Sequence, residues 1–298
     1  MDIGSIATIV GCEVLYGTVS LVTGIIFGWF MYDRVLTKGI SLRDALFEHD
    51  AIAPWTEFMG SFVFPVLFLA SRILSQQSPW LLLQDTLSVI SSMVLYIAIF
   101  SLLRMVVNAV ILKYSRIEKG RYGEIVTLND EIFQQNNFSA SMFSVAMTTV
   151  IINLSLQFEF TPVTMLDSMY RFIAVLLASF IAIALYQRFL PHGTGLFQEI
   201  FIKNNPACGI SFAGYILSWQ ILLHKAFTTP ITLYGSLAAA AISLLLLHFL
   251  ASTAKRTANI LLKVDFKDEL FTQKNIGAAL GDLGLHVGLS MLIASLIR

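Results

Sequence analysis

The stretch Glu269-Leu270-Phe271-Thr272-Gln273-Lys274-Asn275 ends where a long apolar run, Ile276 to Ile297, begins. The same phrase occurs twice earlier, as Glu131-Ile132-Phe133 with Asn137 and as Glu199-Ile200-Phe201 with Asn205. In all three copies the Asn lies six residues after the Glu, and the copies stand 68 and 70 residues apart. A fainter copy precedes them: Ala45-Leu46-Phe47, with Asp50 near the Asn position and no Glu. Self-similarity at a near-constant period marks a repeat architecture, one supersecondary unit per copy.

Each phrase has a local physical reading. Asn is a favoured N-cap because its side-chain oxygen accepts an orphan backbone N–H. Asn137, Asn205 and Asn275 each stand just before an apolar run, and Pro206 suits the first helical position after Asn205. Each phrase therefore marks where a helix enters a bilayer. The upstream residues suit a short helix or turn at the interface, with Phe133, Phe201 and Phe271 expected in lipid and Glu131, Glu199 and Glu269 in water.

The composition agrees with that setting. The chain of 298 residues is 56% hydrophobic and only 13% charged, against about 25% charge in a soluble domain. Its formal net charge is zero, which suggests no nucleic-acid partner. Cys12 and Cys208 both fall in apolar segments, and two are too few for a disulfide framework or a Cys-based metal site. No cofactor and no metal are expected. The first five residues carry no Lys or Arg, so the opening apolar run reads as a spanning helix and not a cleaved signal.

Crossing the hydrocarbon takes roughly 20 apolar residues, and eight runs qualify: 6–32, 53–74, 80–112, 138–158, 168–189, 206–224, 231–253 and 276–297. The expected fold is all-α and polytopic. Eight transmembrane helices form four parallel helical hairpins, fused as a pseudo-dimer of units 1–158 and 159–298. The loops inside the hairpins carry 14 of the 19 Lys and Arg, the opposite side carries four, and Arg104 lies within a span. The positive-inside rule then puts the phrases in the cytoplasm and both termini outside. All four hairpins enter from one side, unlike the inverted repeats of many secondary transporters.

Ionisable groups inside a bilayer are costly and need a partner or a task. Arg104 and Asp282 lie at matched depths from the same side, so they are expected to pair. His286 follows Asp282 by four residues, one turn along the same face. That spacing can serve a proton relay or a metal, but without a nearby Cys or second His a structural hydrogen bond is the reading. The corresponding positions in the other copies are Ser144 and Thr148, Phe212 and Ile216, and Phe58 and Phe62, so the charged face is peculiar to the last copy. Glu13 lies deep in the first run, with Asn153 at a similar level in the fourth. A buried carboxyl there is protonated or paired. Glu57 and Asp85 are expected near the interfaces and solvated, and His224, Lys225 and His248 near span ends. Gly277 and Gly281, Gly284 and Gly288, and Gly24 and Gly28 stand at the small-xxx-small spacing of packed membrane helices.

No nucleophile elbow, phosphate loop, HExxH or loop carboxylate cluster is present, so no enzyme is expected. The stretch from Glu269 through Asn275-Ile-Gly-Ala-Ala-Leu into the glycine-rich helix resembles the end of the YjfL-like bacterial inner-membrane proteins, a domain of unknown function numbered 350. The stretch Glu131 to Asn137-Phe-Ser-Ala resembles another copy. Members of that family are short chains of about four spans, so the resemblance implies two such units in tandem and a bacterial inner-membrane location. It implies no reaction. The expected function is a conduit for ions or small solutes, gated by Arg104, Asp282, His286 and Glu13. The competing expectation is a scaffold that recruits a protein partner at the cytoplasmic loops. A homo-oligomer in the bilayer agrees with either.

Overall fold

In a computed structural model the described residues are 3–37, 40–47, 51–74, 82–117, 127–157, 165–191, 194–229 and 232–297. They are mostly helical, with no strand among them. The helices are α1 (Ile3–Met31), α2 (Leu42–Phe47), α3 (Ile52–Phe58), α4 (Phe64–Leu74), α5 (Leu82–Ile117), α6 (Phe138–Leu156), α7 (Met165–Gln187), α8 (Pro206–Thr228), α9 (Leu233–Leu262), α10 (Phe266–Phe271) and α11 (Ile276–Leu296). Single π-turns occupy Tyr32–Leu36, Met59–Val63, Asp130–Gln134 and Gln198–Ile202. The turn at Met59–Val63 joins α3 to α4 as one helix with a bulge.

Among the described residues seven helical segments are long and apolar enough to cross a membrane: Ile52–Leu69, Ile90–Val110, Phe138–Leu156, Leu166–Gln187, Pro206–Thr228, Leu233–Leu262 and Ile276–Leu296. The remaining expected run, 6–32, falls on α1, whose side chains are described only in part. The protein is an all-α, multi-pass membrane protein.

The core is a row of helices that each follow a phrase. α8 packs most extensively on α11 and α6, and α6 packs in turn on α3. Close approach is built into the sequence. A methyl placed on Gly214 of α8 would lie 2.6 Å from the Leu283 Cα, and one on Gly209 would lie 2.9 Å from the Ser139 Cα. Stacked rings fill the centre: Phe143 and Phe212 lie 5.5 Å apart and nearly parallel, with the Tyr186 ring edge-on to Phe212 at 5.1 Å. α5, α7 and α9 flank this row and turn apolar side chains such as Leu102, Ile181 and Leu245 outward, as a lipid-facing surface requires.

Candidate functional site

The three phrases share one backbone course. Asn136, Asn204 and Lys274 adopt left-handed conformations at φ of 51°, 43° and 54°. Asn tolerates that region better than other residues with a Cβ. The next amide then turns back, with Asn137 N–H donating to the Glu131 carbonyl at 2.8 Å, Asn205 to Glu199 at 3.0 Å and Asn275 to Glu269 at 2.8 Å. This closes the short helix and starts the long one. The cap follows as the sequence indicates. The side-chain oxygens of Asn137, Asn205 and Asn275 accept from the N–H groups of Ala140, Cys208 and Ala278.

The Glu side chain has a task the sequence reading missed. Asn137 Nδ2 donates to the Glu131 carboxylate at 2.7 Å, Asn205 to Glu199 at 3.1 Å and Asn275 to Glu269 at 2.7 Å. Glu131 and Glu199 are buried and Glu269 is half-buried, and Phe133, Phe201 and Phe271 are buried too. The expectation of Glu in water and Phe in lipid is therefore corrected. The carboxylate orients the cap amide, and the Phe201 ring packs edge-on against Phe143, 5.5 Å between centroids. The second Nδ2 hydrogen reaches out of the phrase: Asn137 donates to the Ile200 carbonyl at 3.0 Å, and Asn205 to the Leu270 carbonyl at 3.1 Å. The phrases at Asn137 and Asn205 are each thereby tied to the one that follows.

Arg104 and Asp282 do not pair, which corrects the expectation drawn from their depth. Arg104 forms its ion pair with Glu57, which is fully buried and not solvated. Around that pair, Tyr32 Oη and Ser144 Oγ donate to Glu57 Oε1 at 3.3 and 2.9 Å, and Ser61 Oγ donates to Oε2 at 3.0 Å. Arg104 also donates to Asn129 Oδ1 at 2.7 Å and lies over the Phe100 ring, 4.9 Å from its centroid. Depth along a helix fixes one coordinate only. The position around the bundle, which decides the partner, is not contained in it.

Asp282 stands in a second cluster. Lys255 Nζ lies 2.6 Å from Asp282 Oδ1, and His286 Nδ1 lies 3.2 Å from the same atom. Ser211 Oγ donates to Oδ2 at 2.5 Å, and Tyr186 Oη donates to Ser211 Oγ at 3.0 Å. His286 Nδ1 also lies 2.9 Å from the Asp282 carbonyl, the structural bond the spacing suggested. His248, expected near a span end, sits mid-way along α9, where its Nε2 lies 3.1 Å from Tyr215 Oη.

The two clusters correspond position by position. Tyr32 precedes Ala45, where the faint phrase starts, by the same interval that separates Tyr186 from Glu199. Glu57 and Ser211 follow those two starts at one shared interval. Ser144 and Asp282 follow Glu131 and Glu269 at another, one position longer. Carboxylate and hydroxyl have exchanged helices, and the base comes from a flanking helix in both, α5 or α9. Counting equivalent positions hid this, because the acid moves by one position as it changes helix. The signal available in the sequence was the Ser facing each acid.

A cavity of about 290 Å³ abuts the second cluster, lined by Ser211, Tyr215, Lys255, His286 and residues of α10 among others. It has room for several waters. At about 1.5 Å per residue, Asp282 lies roughly 10 Å along α11 from its cap, and α10 places the cavity on the phrase side. Arg256 and Lys267 add positive charge to its wall and Asp265 adds one acid.

Asn153 belongs to neither cluster. Its Nδ2 donates to Gln220 Oε1 at 2.9 Å, its oxygen accepts from Gln157 at 3.1 Å, and Gln220 donates to Ser179 at 3.1 Å. This ladder of buried amides joins α6, α8 and α7 by pairing polar groups that water cannot reach. The Glu13 and Asp85 side chains lie outside the described residues.

No curated protein and no solved structure matches the chain. A family profile matches residues 162–297, the part that holds Asp282, Lys255, His286 and the cavity. Over those residues the chain is similar to the family described as Domain of Unknown Function (DUF350).

Proposed function

We propose that this protein is a conduit for an ion or a small solute, with the cavity against Asp282 as its vestibule. One observation carries the reading. A fully buried carboxylate meets an ammonium and an imidazole, and both of these partners line a cavity with room for water. A charge buried in a bilayer without a task is a net cost, and here the space beside it admits a passing ion. Lys255 and His286 occupy the Asp282 carboxylate at rest, and a permeating cation or proton competes with them for the same oxygens. Glu57 and Arg104 play no part in passage; their pair is enclosed by Tyr32, Ser61 and Ser144.

The setting proposed is the bacterial inner membrane, with eight spans arranged as four parallel hairpins in tandem units 1–158 and 159–298. The uneven split of Lys and Arg supports both termini in the periplasm and the vestibule facing the cytoplasm. No enzymatic step is proposed.

The test is flux of K⁺, Na⁺, H⁺ and Cl⁻ through liposomes holding the purified chain, with Asp282→Asn in parallel. Flux that falls at least tenfold in a folded variant supports the conduit. No flux of any ion through folded, inserted protein refutes it. A scaffold is the second reading, favoured by the closed Glu57–Arg104 cluster, which spends two buried charges on rigidity. Its docking point would be the last phrase, where Asn275 is exposed and Glu269 half-buried.

A further inference from the structure

We infer that the chain assembles head to tail with further copies of itself, the glycine face of α11 receiving Trp55 and Met59 of the next copy. The inference rests on the four-hairpin reading proposed above and is independent of conduction.

Four positions recur in each helix that follows a phrase: the second, sixth, ninth and thirteenth after the cap. In α8 they are Ala207, Ser211, Gly214 and Ser218, all buried. This is the face that meets α11: Ser211 donates to Asp282, and Gly214 lies against Leu283. In α11 the same positions are Gly277, Gly281, Gly284 and Gly288, and all four are exposed. A methyl on Gly281, Gly284 or Gly288 would meet nothing within 4 Å, and on Gly277 only its own cap Asn275. The two glycine pairs of α11 thus lie on one face, whose counterpart in α8 is a helix interface.

The internal joints run in one direction. Position nine of one helix meets position eight of the next, as Gly60 meets Val145 and Gly214 meets Leu283. Position two meets position four. Ser141 Oγ donates to the Ala53 carbonyl at 2.8 Å, and a methyl on Gly209 would meet Ser139. The cap amide points the same way, from Asn137 to Ile200 and from Asn205 to Leu270. Asn275, the last in the series, is exposed and bonds only its own phrase.

The receiving positions of the first hairpin, the fourth and eighth after the cap position Ala51, are Trp55 and Met59. They are 37% and 41% exposed. The largest side chains at these positions thus stand at one end of the row and the glycines at the other. Gly277 opposite Trp55 and Gly284 opposite Met59 give a joint of large on small. Two α11 faces against each other would bring glycine to glycine and leave Trp55 and Met59 uncovered. A contact between unlike faces repeats, closing into a ring or continuing as a row. The Leu46 carbonyl, equivalent to Ile200 and Leu270, accepts the Trp55 indole at 2.7 Å. Its second lone pair is the acceptor for Asn275.

The test is disulfide trapping of the full chain in liposomes. Met59→Cys with Gly284→Cys is expected to give, on oxidation, covalent species of two or more chains. A mixture of the two single variants is expected to stop at the dimer, and each single variant and the unmodified chain to stay uncrosslinked. An internal pair, Gly60→Cys with Val145→Cys, tests the stacking itself and should close within one chain. Dimers from Gly284→Cys alone would overturn the inference in favour of α11 pairing with α11. Closure of the internal pair without any Met59–Gly284 product would overturn it in favour of lipid on that face. Failure of the internal pair would remove the hairpin stack and the inference with it. Gly284→Leu is expected to reduce the assembly to single chains with helicity unchanged; an unchanged assembly mass would overturn the inference too.

Discussion

Ser211 on α8 donates to Asp282 on α11 at 2.5 Å, and the corresponding bond in the other half runs the opposite way, from Ser144 on α6 to Glu57 on α3. The pair of facing positions is suited to one acid and one hydroxyl in either order. A swap, Ser211→Asp with Asp282→Ser, therefore keeps a carboxylate within reach of Lys255. The double variant should recover most of the stability that Asp282→Ser alone loses, measured by unfolding in mixed micelles. A double variant less stable than the single one would refute the equivalence.

Breaking the enclosed pair should be costly. Glu57→Gln leaves the Arg104 guanidinium buried without its counter-charge, which costs about 3–5 kcal/mol. Removing both charges together, as Glu57→Gln with Arg104→Met, should return at least half of that loss. Flux through the double variant should equal that of the parent within a factor of about two, because the cavity lies elsewhere. The checks are unfolding midpoints and liposome flux.

The caps should not be equal. Asn205→Ala removes the cap bond, the Glu199 bond and the forward bond to Leu270, all buried, for a loss of about 2–4 kcal/mol. Asn275→Ala removes an exposed cap without a forward bond within the chain, for about 1 kcal/mol. Comparing the two unfolding free energies in a medium that keeps single chains apart tests the ordering.

Glycines of the same helix position should respond in opposite ways. Gly214→Ala drives a methyl to 2.6 Å from the Leu283 Cα, and overpacking of this kind costs about 1–3 kcal/mol. Gly284→Ala meets nothing within 4 Å, so in a single chain it should be neutral or gain up to about 1 kcal/mol from helix propensity. Thermal unfolding of detergent-separated chains distinguishes them.

Much of this was legible in the sequence. The spacing of Glu and Asn gave the caps, because an N-cap is a local device specified by a few neighbouring residues. Seven of the eight expected spans followed from length and apolarity, whereas the small-residue spacing on α11, read as a packed face, lies exposed in the single chain. The partners of Arg104 and Asp282 were not legible, because helical depth carries no azimuth and every copy offers several candidate facing helices. The burial of Glu131 and Glu199 was missed for a related reason. A carboxylate reads as solvated until the amide that holds it is seen, and that amide belongs to the cap itself. Asn153 was placed by depth beside Glu13, whereas its partner Gln220 sits on a neighbouring inner helix at the same level.

The cap amides that point forward have a consequence in time. A ribosome delivers the amino-terminal phrases first, so Asn137 reaches the membrane 63 residues before Ile200 and Asn205 reaches it 65 before Leu270. At about 5–20 residues per second each amide waits roughly 3–13 s for its acceptor. Over that interval the unfinished bond is held by water or by the insertion machinery at the interface. Insertion therefore proceeds as a zipper with a fixed direction, in which the caps at Asn137 and Asn205 are completed by the arrival of the phrase that follows.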